Sequence, residues 1–285
     1  MTERPLRERD LHTGPRGLRL RLCEWGSPAG IPILILHGFL EQGAAWHEVA
    51  QNLGPRHIVA PDHRGHGRSQ HVGEGGFYHF WDYVADVQAI VQKLGGQVDL
   101  VGHSMGGSIA ALYSSLRPET VRRLVLIEGL GPPDRLTVAH RQTGTFLRHM
   151  AAPPQHTPMR DLDEAVSRMR RVVPVLPIST ARRMAERATR ATDDGLEWSW
   201  DALHRARSPQ AFSAELFGTY LSQIESPTLL IDGGASPWLR MIPDLEQRQS
   251  KLHSHARVVL QGHGHHPHHT CPAQLAAHIL EHLDA

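Results

Sequence analysis

The sequence is short of lysine, cysteine and aromatic residues, and it has no long apolar run. Two of its 30 basic residues are lysines, and 29 acidic residues leave a formal net charge of +1. Such a balance argues against a nucleic-acid-binding surface. No run of about 18 apolar residues occurs, and the arginine-rich start lacks an apolar centre, so we predict neither a membrane span nor a signal peptide.

The two cysteines, Cys23 and Cys271, lack the spacing of a metal site or a redox motif. Isolated cysteines are typical of unpaired thiols in a reducing compartment, so we expect a cytoplasmic protein. At 285 residues the chain is long enough for one large domain, or for one core that carries an insertion.

The spacing of apolar residues predicts a mostly parallel, doubly wound α/β sheet. Apolar β-like runs alternate with helical patterns up to residue 130, and this alternation resumes at residue 223. Residues 131–222 are rich in arginine and broken by prolines, which favours short helices. We therefore expect a core formed by residues 1–130 and 223–285 and an α-helical cap inserted at 131–222. Strands are expected near residues 17–25, 31–37, 57–61, 98–103 and 121–127.

One serine stands between two glycines in the segment Gly102-His-Ser-Met-Gly106, directly after an apolar run. This spacing permits a tight turn from strand to helix, which holds the serine hydroxyl clear at the carboxyl end of the strand. Ser104 is therefore the candidate nucleophile.

Two other segments are expected at the same edge of the sheet. The turn His37-Gly38 follows an apolar strand, and backbone N–H groups after its glycine can stabilise an oxyanion. Residues 262–269 follow another strand-like run and contain five histidines. These histidines share one short loop with an internal proline and lack the i, i+4 spacing of a helical zinc site, so we predict no metal site.

These segments, together with the glycine-containing turn at residues 62–69, resemble the α/β-hydrolase superfamily, in particular its capped serine hydrolases and esterases. The resemblance implies that Ser104 is the nucleophile and His265 the general base. It also implies that the backbone N–H groups of Phe39 and Met105 form the oxyanion hole. No metal ion or organic cofactor is expected.

The sequence departs from the family pattern at the acid of the triad. Members usually carry an aspartate shortly after the strand at Thr228–Ile231, but Ser236 stands in that place. A serine cannot hold a negative charge against an imidazolium, so another carboxylate is required. Glu128, which ends the preceding strand, is favoured because some members of this fold take their acid from there. Asp232, at the tip of the next strand, is the alternative.

The resemblance implies a cofactor-independent hydrolase of carboxylic esters with small to medium acyl groups, whose partner is a small-molecule ester or acyl substrate. A serine at position 104, where dehalogenases and epoxide hydrolases have aspartate, argues against those activities. A carbon–carbon bond hydrolase or a lactonase is an alternative with the same triad. A catalytically weak ligand-binding protein is an alternative of another class. Trp198 and Trp200 are candidate walls of the substrate pocket, and the sequence does not indicate an oligomeric state.

Overall fold

Strands form the centre of the molecule. The computed structural model describes residues 4–14 and 17–285. Within those residues the strands are β1 (Arg7–His12), β2 (Arg19–Trp25), β3 (Ile33–Leu36), β4 (Ile58–Pro61), β5 (Val98–His103), β6 (Val121–Ile127), β7 (Thr189–Thr192), β8 (Gly195–Trp198), β9 (Thr228–Gly233) and β10 (His255–Leu260). Eight of them form one sheet in the order β1-β2-β4-β3-β5-β6-β9-β10, while β7 pairs with β8 alone.

Helices cover both faces of the large sheet. In the described part of the chain they are α1 (His47–Asn52), α2 (Phe80–Lys93), α3 (Met105–Leu116), α4 (Ala139–Ala151), α5 (Leu162–Val172), α6 (Ile178–Ala188), α7 (Ala214–Leu221), α8 (Leu245–Gln249), α9 (Pro267–Thr270) and α10 (Pro272–Asp284). Apolar residues of α2, α3 and α7 pack on one face of the sheet, and those of α1 and α10 pack on the other.

The parallel part of the sheet determines where polar side chains gather. Strands β4, β3, β5, β6, β9 and β10 run parallel, whereas β1 and β2 are antiparallel to their neighbours. Every residue of β3 and β5 is buried, because helices cover both faces there. The carboxyl ends of parallel strands meet at one edge, so the residues that follow β3, β5, β6 and β9 lie close together.

The predicted fold class is confirmed, and the five predicted strands correspond to β2 through β6. Strand β1 was not predicted, because it is an edge strand with mostly charged side chains, and Leu11 is its one buried residue. Between β9 and β10 the helical run around residues 238–253 is short. Pro243 interrupts it and leaves only α8 after a single 3₁₀ turn at Leu239–Met241.

The insertion contains helices α4, α5 and α6 and also the hairpin β7–β8, which the helical prediction missed. Strands of four residues on each side of a polar turn give too short a pattern to be recognised. Helix α7, predicted to lie in the insertion, packs in the main core through Phe217 and Leu221.

Asp134 joins the two ends of the insertion. Its carboxylate accepts one hydrogen bond from the backbone N–H of Leu136 at 2.9 Å and another from that of Ala214 at 2.8 Å. The backbone N–H of Arg135 also donates to the carbonyl of Phe212 at 3.0 Å. The chain therefore leaves the core and returns to it at one point.

Cys23 and Cys271 are free thiols, and burial raises the pKa of both. Among residues 4–14 and 17–285, no helix has the length and apolar character needed to cross a membrane.

Candidate active site

Ser104 lies in the turn between β5 and α3, at the carboxyl edge of the sheet. Its backbone φ is +52°, a conformation that L-residues rarely adopt. A Cβ atom at Gly102 would collide with the carbonyl oxygen of Gly106, and one at Gly106 would collide with that of Leu36. Both glycines are therefore required by the close approach of backbone segments, which keep Ser104 in its strained conformation.

His265 bridges Ser104 and Glu128. Its Nε2 lies 3.0 Å from the Ser104 Oγ, and its Nδ1 lies 2.5 Å from the Glu128 Oε2. A carboxylate only accepts hydrogen bonds, so Nδ1 carries a hydrogen and donates a hydrogen bond to Glu128. In the neutral imidazole Nε2 then has a free lone pair, which accepts the hydroxyl hydrogen of Ser104.

Glu128 is buried directly after β6, and its backbone φ is +48°. Besides the imidazole of His265, its carboxylate accepts the backbone N–H of Gly233 at 2.9 Å and the hydroxyl of Ser236 at 2.7 Å. Ser236, which occupies the usual place of the aspartate, therefore contacts the carboxylate that faces His265. Three hydrogen bonds hold that carboxylate in place.

Asp232 is the other candidate acid, and it has a different partner. The Arg257 guanidinium on the neighbouring strand donates to its carboxylate at 2.8 Å. Burial raises the pKa of Asp232, and the bond to Arg257 opposes that shift. The structure therefore brings Ser104, His265 and Glu128 together, whereas Asp232 forms an ion pair elsewhere on the same edge.

A pocket of about 490 Å³ opens beside Ser104. Phe39 and Met105, the predicted oxyanion-hole residues, both line it. Met105 is the first residue of α3, and the N–H groups of a helix's first turn have no partner within the helix. Trp238 also lines the pocket, with its ring centroid 5.5 Å from that of His265. No sequence signal marked Trp238, because it follows β9 in an irregular segment.

The structure places Trp198 and Trp200 outside this pocket, so they do not form its walls. Trp198 lies in β8 and packs on the small apolar cluster inside the insertion. Trp200 is buried against His156, with ring centroids 4.4 Å apart. Both tryptophans therefore pack inside the insertion and stabilise it. In a short amphipathic element, an apolar residue is as compatible with such packing as with a pocket wall.

A second carboxylate, Glu41, lies beneath the same edge of the sheet. Its Oε2 accepts the backbone N–H of Gly38 at 2.8 Å and lies 3.3 Å from the Nδ1 of His103. The Nε2 of His103 donates to the carbonyl oxygen of His265 at 2.7 Å. Because both partners of His103 only accept, both of its ring nitrogens carry protons and the ring is an imidazolium.

The pKa directions agree with this assignment. Burial alone would lower the pKa of His103, but Glu41 and the carbonyl of His265 outweigh it and raise that pKa. Burial alone would raise the pKa of Glu41, but His268 and His103 together hold it well below its usual range. His103, the residue before Ser104, thus forms a buried ion pair with Glu41.

A larger cleft, of about 660 Å³, lies between α1 and α6. Its arginines are already engaged, since Arg183 pairs with Glu48 and Arg187 with Glu8. The smaller pocket combines a serine, an imidazole and a buried carboxylate in hydrogen-bond contact, and it is therefore the candidate active site.

Comparison with known proteins agrees with this geometry. A family model described as the alpha/beta hydrolase fold matches residues 31–157. A serine hydrolase-like protein of Danio rerio is 29% identical over 220 residues, which are 74% of this chain and 68% of that protein. A 3-hydroxybutyrate-oligomer hydrolase of Cupriavidus necator is 28% identical over 92% of both chains. Two further curated relatives match over less than half of their own length.

Among solved structures, the thioesterase domain from the curacin biosynthetic pathway superposes with a TM-score of 0.87. It is 35% identical in sequence, and the match covers 97% of this chain and 99% of that domain. The strand order, the serine turn and these similarities agree, and the chain belongs to the α/β-hydrolase superfamily as a serine hydrolase of that fold.

Proposed function

We propose that this protein hydrolyses carboxylic esters of small to medium acyl groups through an acyl-enzyme on Ser104. The observation that carries the proposal is the continuous hydrogen-bond chain from Ser104 through His265 to Glu128. A nucleophile, a base and a buried acid in contact are the arrangement that acyl transfer requires.

In the proposed mechanism the Ser104 oxygen attacks the acyl carbon while its proton passes to the Nε2 of His265. Glu128 keeps its negative charge and stabilises the imidazolium that forms. The imidazolium then protonates the leaving alcohol, and the acyl group stays on Ser104. His265 next takes a proton from water, which attacks the acyl-enzyme, and the imidazolium then returns that proton to the Ser104 oxygen as the acid is released.

The tetrahedral intermediate carries a negative oxygen that needs hydrogen-bond donors. We assign this role to the backbone N–H groups of Phe39 and Met105, which both belong to pocket-lining residues. Loss of one such donor typically lowers turnover by about 10²–10³-fold. The bond from the Gly38 N–H to Glu41 would fix the turn that presents Phe39.

Thioesters are a second candidate substrate class, because the curacin thioesterase domain is similar over almost the whole chain. The same triad serves both classes, since the acyl carbon is attacked in the same way. They differ in the leaving group, because a thiolate leaves with less help from the imidazolium than an alkoxide does.

The test compares purified wild-type protein with Ser104→Ala on p-nitrophenyl esters of graded acyl length and on matched acyl thioesters. We expect Ser104→Ala to retain less than about one thousandth of the wild-type rate. Labelling by a fluorophosphonate probe should also disappear in Ser104→Ala. Equal rates for the two proteins on every substrate, with no labelling of wild type, would refute the proposal and favour a ligand-binding role.

A further inference from the structure

Three imidazoles of the loop after β10 gather around one oxygen of Glu41. The Oε1 of Glu41 lies 3.1 Å from the Nε2 of His268 and 3.8 Å from the Nε2 atoms of both His266 and His269. The possible ligand atoms of Glu41, His268 and His269 all lie within 4.8 Å of one another. The turn after β3 and the start of α9 thus meet in one cluster.

These separations are close to those of ligands on one metal ion. Zinc binds imidazole nitrogen and carboxylate oxygen at about 2.0–2.2 Å, so two such ligands in a tetrahedral site are roughly 3.4 Å apart. The distances from Glu41 to the three imidazoles bracket this value.

Contrary to the expectation from the sequence, we propose that Glu41, His268 and His269 bind a divalent transition-metal ion of the zinc type. Imidazole and carboxylate are ligands that zinc accepts together. This binding is separate from the proposed ester hydrolysis, because the cluster shares no side chain with Ser104, His265 or Glu128.

The cluster has the burial of a built site. The side chains of His268, His269 and Glu41 are 0%, 4% and 11% exposed, unlike histidines that bind metals adventitiously at a surface. Glu41 and His266 line the pocket, which gives an ion a way in.

The bound ion would leave the other contacts of Glu41 in place. The Oε1 atom faces the imidazoles, while Oε2 accepts from Gly38 and His103. One carboxylate oxygen can therefore bind the ion while the other still holds the turn after β3.

The test is equilibrium dialysis of the full chain against Zn²⁺, with metal content measured per chain, on wild type, His269→Asn and His278→Asn. His278 is a matched control because it is a surface histidine near a carboxylate, 3.9 Å from Glu281. We expect one tightly bound ion in wild type and in His278→Asn. Removing a residue that only hydrogen-bonds to a metal ligand typically weakens metal binding by about 10–100-fold. Removing a ligand itself, as in His269→Asn, should therefore weaken binding by about 100-fold or more.

Two measurements keep the proposal falsifiable if a variant folds poorly. The melting temperature of wild type should rise with Zn²⁺, because an ion that binds only the folded state stabilises it, and the rise should vanish in His269→Asn. Co²⁺ in place of Zn²⁺ should give the visible absorption of a tetrahedral site. Absence of a bound ion in wild type, or equal affinity of wild type and His269→Asn, would overturn the proposal.

Discussion

Two carboxylates, Glu128 and Glu41, contact the histidine-rich loop after β10. Their hydrogen-bond partners differ. Glu128 accepts from one imidazole, His265, whose other nitrogen faces Ser104 at 3.0 Å. Glu41 lies among several imidazoles, and the ring of His103 donates from both of its nitrogens. The role of each histidine therefore depends on what its second nitrogen contacts.

The difference separates a base from a fixed charge. His265 can accept a proton because one nitrogen is a free acceptor. His103 cannot, because both of its nitrogens already donate to acceptors. Residues of the same type, with ring centroids 4.9 Å apart, thus differ in chemistry through their partners alone.

The largest expected effect is a loss of catalytic activity when Glu128 is replaced. Glu128→Gln should lower kcat/KM for an ester by about 10³–10⁴-fold, because an amide cannot stabilise the imidazolium by charge. Asp232→Asn should stay within about threefold of wild type, since its partner is Arg257 and not His265. Steady-state kinetics on one ester, with circular dichroism as a control for folding, measures both. A crippled Asp232→Asn with a normal Glu128→Gln would reverse the assignment of the acid.

On the other side of the loop, Glu41→Gln should mainly affect stability. Removing the charge leaves the His103 imidazolium buried without its counterion, and breaking a buried pair costs about 3 kcal/mol. Urea unfolding followed by tryptophan fluorescence gives the free energy of unfolding. Glu128→Gln is the matched comparison, and we expect it to be less destabilised. Equal losses in the two variants would remove the distinction between the two carboxylates.

A double variant can move the acid from one strand to the next. Ser236 already donates to Glu128 at 2.7 Å, so an aspartate at position 236 would lie near the imidazole of His265. Ser236→Asp added to Glu128→Gln should recover about 10–100-fold of the lost kcat/KM. Ser236→Asn in the same background is the control without charge. Equal rates in these two double variants would mean that a carboxylate at this place does not reach His265.

Histidines without a carboxylate partner sharpen the comparison. Burial lowers the pKa of His63 and His66 well below 6.5, and backbone carbonyls are their hydrogen-bond acceptors. Below pH 6.5 the unfolded chain therefore binds more protons than the folded one, and stability falls as the pH falls. One pH unit below 6.5, each such histidine costs about 1.4 kcal/mol.

The free energy of unfolding should be measured between pH 7.5 and pH 5 for wild type and His66→Asn. The variant should show a shallower loss towards acid pH, by about 1.4 kcal/mol at pH 5.5, because it has one fewer group to protonate. His278→Asn, at the surface, should follow the wild-type curve. Identical curves for all three proteins would show that His66 is protonated equally in the folded and unfolded states.

Much of the fold was predictable, because continuous apolar runs and glycine spacing are local signals. The parallel strands β3 to β6 and the turn around Ser104 follow from patterns of a few residues. The juxtaposition of Ser104, His265 and Glu128 followed from one rule, that parallel strands end at the same edge. The resemblance to a family supplied the order in which those ends carry their side chains.

The other features depend on contacts between distant segments. Glu41 has no sequence motif, and it meets His268 only because the turn after β3 lies beside α9. The pocket wall at Trp238 and the positions of Trp198 and Trp200 depend on how irregular segments and the insertion fold over the core. Single-sequence patterns carry no information on such packing.

The Asp134 junction brings the two ends of the insertion together, while α6 makes further ion pairs with the core through Arg183 and Arg187. Because Asp134 accepts from both Leu136 and Ala214, the chain leaves and re-enters the core at neighbouring points whatever the length between them. Doubling a flexible loop costs only about 0.6 kcal/mol of closure entropy, so insertions of other lengths could be grafted here. Helix α7 packs in the main core and must stay with it, which makes residues 134 and 213 natural junctions for exchanging the insertion.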